Sequence, residues 1–276
     1  MRPAEVVRRG AGYLERHGVD QPLATAETLL ASILGSGRTG LYLREEELST
    51  AEAKRFGRAL CRRCTGTPVQ HLTGEQGFRR LVLAVRPGVF IPRPETEMVV
   101  DVALEAVAGL ARPSVVDVGT GTGAIALSIA SEHPGARVIA TDCSLEAVAL
   151  AREHAERLGL DVDVRCGDLL APVSESDGAL DLVVSNPPYV ERGDVPGLPL
   201  DVQADPSGAL VGGIDVYERL FAQASERLRP GGAIVVEIGD DRAAAVTAAL
   251  LHAGFVTTRV RPDLTGRDRV VEGRRP

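Results

Sequence analysis

Tryptophan is absent from this chain of 276 residues, and aromatic residues of all kinds make up only 3% of it. Long apolar runs are absent as well, since no segment reaches the roughly 20 apolar residues that a membrane-spanning helix requires. The start, Met1-Arg2-Pro3-Ala4-Glu5, lacks the apolar core of a signal peptide. These absences argue against a membrane protein and a secreted precursor, and they predict a cytoplasmic protein.

Cysteine is sparse and the net charge is not positive. The four cysteines are Cys61, Cys64, Cys143 and Cys166. Cys61 and Cys64 have the spacing of a zinc or redox pair, but no second pair accompanies them, so we expect an amphipathic helix there and no metal site. A net charge of −7 argues against broad attraction to phosphate backbones, so no direct nucleic-acid substrate is expected.

Residues 1–73 are expected to form a small bundle of helices. Apolar residues recur at helical spacing from Ala26 to Leu34, and Gly35 follows as a stop signal. Ser49-Thr50-Ala51-Glu52 is a capping box that starts another helix. The exposed faces are rich in arginine, either as an ordinary solvated surface or as a docking surface for an acidic or ribosome-associated partner. These arginines are Arg8, Arg9, Arg16, Arg55, Arg58, Arg62 and Arg63.

Residues 74–91 predict a β-hairpin that connects two domains. Apolar residues from Phe78 to Val85 precede Pro87-Gly88, and Val89-Phe90-Ile91 follows, which indicates a strand, a turn and a second strand. A third region, residues 92–276, begins with Pro92-Arg93-Pro94-Glu95. Pro94 suits the first turn of a helix, which we expect to run to about Leu110.

Strands and helices alternate from Ser114 onward, which predicts a doubly wound α/β sheet. No helical segment separates the last two strands, so these are expected to form an antiparallel hairpin at the C-terminal end. The predicted strands are Val115–Val118, Arg137–Thr141, Val162–Cys166, Leu180–Ser185, Ala233–Ile238, Val256–Val260 and Arg269–Gly273.

A glycine-rich turn follows the first of these strands. Its Gly-x-Gly-x-Gly spacing differs from the Gly-x-Gly-x-x-Gly that cradles a pyrophosphate. It fits a ligand with an adenosyl group and an amino acid but no phosphate, so S-adenosylmethionine is favoured over NAD. The cofactor-binding residues expected in this turn are Gly119, Thr120, Gly121, Thr122 and Gly123.

Two acidic residues at the ends of the next two strands complete the expected cofactor site. Asp142 ends the second strand, where its carboxylate can accept hydrogen bonds from both ribose hydroxyls. Asp168 and Leu169 follow the third strand, where Asp168 is expected to contact the adenine amino group and Leu169 its face. Ligands of open parallel sheets bind beyond the carboxyl ends of the strands, where all these residues stand.

Asn186-Pro187-Pro188-Tyr189 follows the fourth strand of this region. Two prolines end the strand abruptly and fix the backbone. The Asn186 oxygen and a backbone carbonyl of the prolines can accept both hydrogens of a planar NH2 group, while Tyr189 covers one face of that group. Asn186, Pro187 and Tyr189 are therefore the expected catalytic residues, the whole tetrapeptide binds the substrate, and Asn186 is also expected to contact the cofactor.

These motifs resemble the class I amino-methyltransferases, and the flanking sequence is similar to the bacterial release factor glutamine methyltransferases (the HemK/PrmC family). The similarity covers nearly the whole chain, with one departure at Asp205, where the family more often has glutamate. The segments that carry it are Thr67–Gly74, Phe90–Glu97, Asp205–Asp215 and Asp263–Arg269.

The resemblance implies a class I methyltransferase sheet and methylation of a glutamine side-chain amide. The substrate would be the Gly-Gly-Gln motif of class 1 peptide release factors, with S-adenosylmethionine as the methyl donor. It also places Phe90 beside the substrate pocket. Residues 1–73 carry the arginine-rich faces and no candidate cofactor residue, so they are expected to recognise the protein substrate, and residues 92–276 are expected to be the methyltransferase domain. A monomer is expected.

Three other functions share some of these features. A glutamine methyltransferase that acts on a ribosomal protein would use the same chemistry. An adenine-N6 DNA methyltransferase also uses Asn-Pro-Pro-Tyr, but it needs a target-recognition domain and a basic cleft, and the acidic chain offers neither after residue 190. A protein that only binds a nucleotide-like ligand, or that acts as a scaffold, is the non-enzymatic alternative.

Overall fold

The computed structural model describes residues 1–276, which form two compact units. The first unit consists of residues 1–75, 85–87 and 197–204, and the second of residues 76–84, 88–196 and 205–276. None of the helices combines the length and the apolar character that crossing a bilayer requires.

The first unit is a bundle of five helices. They are α1 (Pro3–Arg16), α2 (Pro22–Leu34), α3 (Arg38–Leu43), α4 (Thr50–Cys64) and α5 (Val69–Thr73). Helices α1, α2 and α4 enclose a core that includes Leu14, Leu30 and Phe56. Gly10 lets α1 and α4 approach closely, because a Cβ at this position would lie 2.7 Å from the Phe56 ring.

The predicted helix signals of this unit are confirmed. Gly35 ends α2 in the left-handed conformation, with φ at +62°. Ser49 and Glu52 form the predicted capping box, in which the Ser49 amide donates to Glu52 at 2.7 Å and the Glu52 amide donates to Ser49 Oγ at 3.2 Å. Cys61 and Cys64 lie on α4 as free thiols.

The second unit contains nine strands and six helices. The strands are β1 (Glu75–Phe78, whose first residue belongs to the first unit), β2 (Leu81–Ala84), β3 (Ser114–Val118), β4 (Arg137–Asp142), β5 (Val162–Cys166), β6 (Leu180–Ser185), β7 (Leu228–Glu237), β8 (Val256–Pro262) and β9 (Asp268–Arg274). The helices are α6 (Glu97–Val107), α7 (Ala124–Glu132), α8 (Leu145–Leu158), α9 (Ser207–Leu210), α10 (Ile214–Arg227) and α11 (Ala243–His252).

Seven of the strands form one sheet in the order β5-β4-β3-β6-β7-β9-β8. The first five are parallel to one another, while β9 runs antiparallel to both β7 and β8. The doubly wound sheet and the antiparallel C-terminal hairpin are therefore confirmed. The sheet strands begin and end within two residues of the predicted bounds, except that β7 begins at Leu228, five residues before the predicted Ala233.

Both faces of the sheet are buried by helices. Leu182 and Val184 face one side and pack into the core that α6, α7 and α8 cover. Val183, between them, faces the opposite side and packs into the core that α10 and α11 cover. This alternation explains why the central strands are almost continuously apolar in the sequence.

The predicted position of the hairpin turn is wrong. The two-stranded sheet consists of β1 and β2, which turn at Arg79-Arg80, and Val89-Phe90-Ile91 is not a strand. Arg79 turns the chain with φ at +50°, and Glu97, Asp101 and Glu132 hold its backbone and side chain. Pro87-Gly88 is the stronger turn signal in the local sequence. The position of the hairpin turn is nevertheless set by the contacts of Arg79, which come from distant parts of the sequence. Helix α6 also ends earlier than predicted, at Val107.

Candidate functional site

The candidate site lies at the carboxyl ends of β3 and β6, in the middle of the sheet. The chain leaves β3 towards β4 on one side, whereas β6 lies on the other side. This reversal of direction opens the crevice in which doubly wound sheets bind ligands. Ser185 ties the two strand ends together, because its hydroxyl donates to the Val118 carbonyl at 2.7 Å.

The glycine-rich turn after β3 uses its own amide groups internally. The amides of Gly119 and Thr120 both donate to the Thr141 carbonyl, at 2.8 and 3.0 Å. The Gly121 amide donates to an Asp142 carboxylate oxygen at 2.8 Å. A phosphate cradle needs such amides free to face the anion. This turn therefore suits a ligand without phosphates.

Space for a ligand is left above the turn. Gly119 and Gly121 have φ of +71° and +55°, and a Cβ at either position would meet no atom within 4 Å. Gly123 differs, since a Cβ there would lie 2.9 Å from Leu127, so it serves close packing with α7. Thr122 is held by His154, whose Nδ1 lies 2.8 Å from the Thr122 carbonyl.

Asp117, at the end of β3, is buried beneath this turn. Its Oδ2 accepts from Thr120 Oγ1 at 2.6 Å and from the Ala126 amide at 3.1 Å, whereas its Oδ1 has no hydrogen-bond partner in the protein. Burial, helped by the nearby Asp142 carboxylate and opposed by the hydrogen bonds from Thr120 and Ala126, raises the pKa of Asp117 to about 7. An unpaired buried oxygen fits a ligand that brings a hydrogen-bond donor.

Asp142 is the last residue of β4, as predicted from the sequence. Its carboxylate accepts from the Gly121 amide and, at 2.9 Å, from the Ser144 amide. These bonds fix the carboxylate beside the turn and leave further lone pairs to accept from a ligand. The structure therefore brings Asp142 together with Gly121.

Asp168 and Leu169 follow β5 at the next strand end. Asp168 is exposed and forms an ion pair with Arg219 of α10, and Leu169 has a left-handed backbone with φ at +49°. The Leu169 carbonyl accepts from Thr141 Oγ1 at 2.8 Å, which connects this loop to the strand that also holds the glycine-rich turn.

Asn186 is oriented by hydrogen bonds that reach another part of the chain. Its Nδ2 donates to Thr96 Oγ1 at 3.1 Å, and Thr96 Oγ1 in turn donates to Glu237 Oε2 at 2.6 Å. Thr96 lies in the short 3-10 helix Pro94–Thr96 before α6, and Glu237 ends β7. With its nitrogen engaged, the Asn186 amide presents its oxygen as the acceptor.

Tyr189 and the prolines are held from two sides. The Tyr189 hydroxyl lies 3.4 Å from Glu237 Oε1, and its ring packs on Gly239, where a Cβ would come within 2.8 Å. The chain after Tyr189 pairs with the C-terminal end of α9, where the Val190 amide donates to the Leu210 carbonyl at 2.9 Å and Val190 forms a β-bridge with Val211. The backbone that carries Pro187, Pro188 and Tyr189 is therefore fixed.

Phe90 lies in a segment that Asp205 anchors. The Ile91 amide donates to Asp205 Oδ1 at 3.2 Å, and Arg93 forms an ion pair with the other oxygen of this buried carboxylate. The Arg93 guanidinium stacks over the half-buried Phe90 ring, 5.2 Å from its centre. The ring contact of Phe90 is thus with Arg93, and not with Tyr189.

Sequence reasoning gave no role to Asp117, nor to the two residues that orient Asn186, which are Thr96 and Glu237. Thr96 lies in the segment Phe90–Glu97, which carries the family resemblance, but the sequence indicates no role for it. Glu237 had one signal, a charged residue at the end of an apolar strand that lies beside β6. Neither residue could be assigned to Asn186 without knowing that β6 and β7 are neighbours.

Two sequence families match the chain. The family described as methyltransferase small domain matches residues 81–197, and the family described as PrmC N-terminal domain matches residues 5–74. Among solved structures, a 16S rRNA methyltransferase from T. thermophilus in complex with AdoMet and guanosine is similar in fold. The TM-score is 0.55 at 21% sequence identity, and the match covers 73% of this chain and 50% of the rRNA methyltransferase chain.

Curated relatives are similar over almost the full length. The release factor glutamine methyltransferase of Moorella thermoacetica is 44% identical, over 96% of this chain and 94% of its own. The protein of the same name from Deinococcus radiodurans is 42% identical, over 100% of this chain and 99% of its own. The resemblance seen in the sequence motifs is confirmed: this chain is a methyltransferase and belongs to the release factor glutamine methyltransferase family.

Proposed function

We propose that this methyltransferase uses S-adenosylmethionine to methylate the side-chain amide of the glutamine in the Gly-Gly-Gln motif of class 1 peptide release factors. The observation that carries the proposal is the orientation of Asn186. Its nitrogen donates to Thr96, so its oxygen is available to accept from a substrate NH2 group. The names of the full-length relatives support a glutamine of a release factor as the substrate.

The site supports direct transfer to nitrogen. An amide nitrogen is a poor nucleophile because its lone pair is delocalised into the carbonyl. The Asn186 oxygen and the Pro187 carbonyl would accept both N–H bonds, orient the nitrogen and keep electron density on it. Tyr189, with Phe90, would exclude water that competes for these acceptors. The bound cofactor supplies a methyl group on a positively charged sulfur, and the substrate nitrogen releases one proton to solvent.

The residues around the glycine-rich turn fit S-adenosylmethionine. Gly119 and Gly121 leave open space, Asp142 offers carboxylate lone pairs for ribose hydroxyls, and the unpaired Asp117 Oδ1 can accept from a ligand donor. We propose that Thr120, Thr122 and Gly123 complete the turn. Asp168 and Leu169 would contact the adenine, for which Asp168 must share its carboxylate between the ligand and Arg219.

Replacing Asp142 with alanine should weaken S-adenosylmethionine binding by about 1.5–3 kcal/mol, because bonds to a charged acceptor are lost. Isothermal titration measures this change. Asp161→Ala, which removes an exposed carboxylate just before β5, is the matched control and should leave the Kd unchanged. If Asp142→Ala binds the cofactor as tightly as the control does, Asp142 is not part of the cofactor site.

We further propose that the helical region, residues 1–73, recognises the folded release factor. Arg55, Arg58 and Arg62 are exposed, lie at helical spacing along α4 and form no ion pair. A row of free cations on one helix suits an acidic protein surface, which it would attract over several ångströms. None of the residues that we assign to the cofactor lies within residues 1–73.

Reversing these charges together (Arg55→Glu, Arg58→Glu and Arg62→Glu) should raise the KM for intact release factor on the order of tenfold. The Kd for S-adenosylmethionine should not change. A control protein with Arg80, Arg112 and Arg259 replaced by glutamate carries the same charge change on exposed positions outside the helices of the first unit. Equal KM values for the two triple variants would show that the α4 arginines only interact with solvent.

Transfer of a radiolabelled methyl group tests the function itself. Purified release factor should be labelled, and release factor with Gly-Gly-Glu in place of Gly-Gly-Gln should not, because the target amide is gone. Ribosomal proteins and an adenine-containing DNA duplex, offered in parallel, test the two other methyltransferase activities. Labelling of either one, with none on release factor, would overturn the proposed substrate.

Two further properties concern the location of the enzyme and its oligomeric state. A release factor acts in translation, so we propose that the enzyme works in the cytoplasm. We also propose that the active form is a monomer.

A further inference from the structure

Glu237 is a carboxylate that the fold buries next to the Asn-Pro-Pro-Tyr segment. It ends β7 and is only 1% exposed. Ser185 of β6 pairs with Val236 of β7, so Asn186 and Glu237 are the next residues along two neighbouring parallel strands. Burying a carboxylate is costly unless its oxygens accept hydrogen bonds. Methyl transfer to an amide needs no acid or base at this point, so the cost of burying Glu237 calls for another role.

Both Glu237 oxygens accept from hydroxyl groups of the site. Thr96 Oγ1 lies 2.6 Å from Oε2, and the Tyr189 hydroxyl lies 3.4 Å from Oε1. A hydroxyl has one hydrogen. Once Thr96 donates that hydrogen to Glu237, its oxygen can only accept, and the group 3.1 Å away must be the donor end of the Asn186 amide.

We propose that Glu237, acting through the Thr96 hydroxyl, is a positioning residue that fixes which end of the Asn186 amide faces the substrate. The inference rests on the proposed function, in which the Asn186 oxygen accepts from a substrate NH2 group. The ionised carboxylate sets the direction of both bonds: Asn186 donates to Thr96, and Thr96 donates to Glu237. The Asn186 oxygen is thereby reserved for the substrate.

Protonation of Glu237 removes this constraint. A protonated Oε2 can donate to Thr96, which frees the Thr96 hydroxyl to donate to the Asn186 oxygen. The Asn186 amide can then turn over and present its NH2 group to the substrate. Two donors cannot form a hydrogen bond with each other, so the protonated form holds the substrate amide poorly.

The surroundings of Glu237 bring this protonation into an accessible pH range. Burial raises its pKa to about 7, whereas the Thr96 hydrogen bond and the Arg269 cation oppose the rise. The rate of methyl transfer should therefore be highest above this pKa and should fall as the pH drops through about 7. The groups that face Glu237 are Glu95 and Thr96 before α6, Tyr189 after β6, Tyr217 on α10 and Arg269 on β9.

The pH dependence of kcat tests the carboxylate. Asp117 also has a pKa of about 7, so kcat is measured at saturating cofactor, where weaker cofactor binding has no effect. Wild-type kcat should fall about tenfold for each pH unit below the pKa. Glu237→Gln cannot ionise, and its profile should be flat between pH 6 and 8. A Glu237→Gln enzyme that keeps the wild-type acid limb overturns the proposal.

Three threonine variants test the hydroxyl. Thr96→Val keeps the shape and removes the hydrogen bonds, so kcat/KM should fall about tenfold or more. Thr96→Ser restores a hydroxyl and should recover most of that loss. Thr247→Val is the matched control, because Thr247 Oγ1 is buried on α11 without a partner. Equal rates for Thr96→Val and Thr247→Val overturn the proposal.

A readout without substrate separates this inference from the proposed function. Asn186 is the only asparagine of the chain, so selective labelling with side-chain 15N-asparagine gives one NH2 signal pair in the NMR spectrum. That signal should shift with a midpoint near pH 7 in the wild type, but not in Glu237→Gln or Thr96→Val. If the signal shifts but release factor is not methylated, the proposed substrate is wrong and the positioning role of Glu237 stands. If release factor is methylated but the signal does not shift, the positioning role of Glu237 is wrong.

Discussion

Asn186→Ala should lower kcat for methylation of release factor by about a hundredfold or more. In a site that excludes water, the loss of one oriented acceptor costs this much because nothing else can hold the reacting group. The Asn186 oxygen is the only side-chain acceptor that we assign to the substrate amide. Single-turnover methyl transfer at saturating cofactor measures the change in the chemical step directly.

Cofactor binding and folding provide the controls for Asn186→Ala. The Kd for S-adenosylmethionine should change only modestly, since the turn after β3 and Asp142 are untouched. Thr96 keeps its bond to Glu237, so the buried carboxylate remains paired and the melting temperature should stay close to that of the wild type. Near-normal turnover of Asn186→Ala would mean that the tetrapeptide only ends the strand.

Most of the fold could be predicted because its signals are local. The central strands β3, β4 and β6 are largely apolar and buried on both faces of the sheet. The β1–β2 turn could not be predicted. Arg79 has a positive φ there, and its contacts are with Glu97 and Glu132, which are 18 and 53 residues away in the sequence. A local pattern has no access to such contacts.

The same distinction applies to the site. The glycine-rich turn and Asn186-Pro187-Pro188-Tyr189 are each contiguous, and strand ends in a parallel sheet meet at one edge, so these elements could be assigned from the sequence. The orientation of Asn186 could not. It depends on Thr96, 90 residues earlier, and through it on Glu237, which is 141 residues from Thr96. Predicting this chain of hydrogen bonds requires knowing that β6 and β7 are neighbours in the sheet and how the three side chains are oriented.

Gly212→Ala should reduce kcat for methylation of release factor by about a hundredfold, as Asn186→Ala does. A Cβ at Gly212 would lie 2.1 Å from the Pro188 carbonyl oxygen, and that atom belongs to the backbone and cannot swing away. The Gly212 amide also donates to the Val190 carbonyl at 3.0 Å, which ties the two segments together. The Asn-Pro-Pro-Tyr backbone must therefore move, and a displacement of about 1 Å at reacting groups can cost about a hundredfold.

Gly208→Ala is the matched control for this substitution. Gly208 lies in α9 in the same loop region, and a Cβ there would meet no atom within 4 Å. Overpacking by Gly212→Ala should also lower stability by about 1–3 kcal/mol, so kinetics are measured well below the melting temperature of the variant. Cofactor affinity should stay normal in both variants, because Gly212 lies against Pro188, in the part of the site that we assign to the substrate. If Gly212→Ala turns over release factor as fast as Gly208→Ala does, the position of the Pro188 carbonyl does not control transfer.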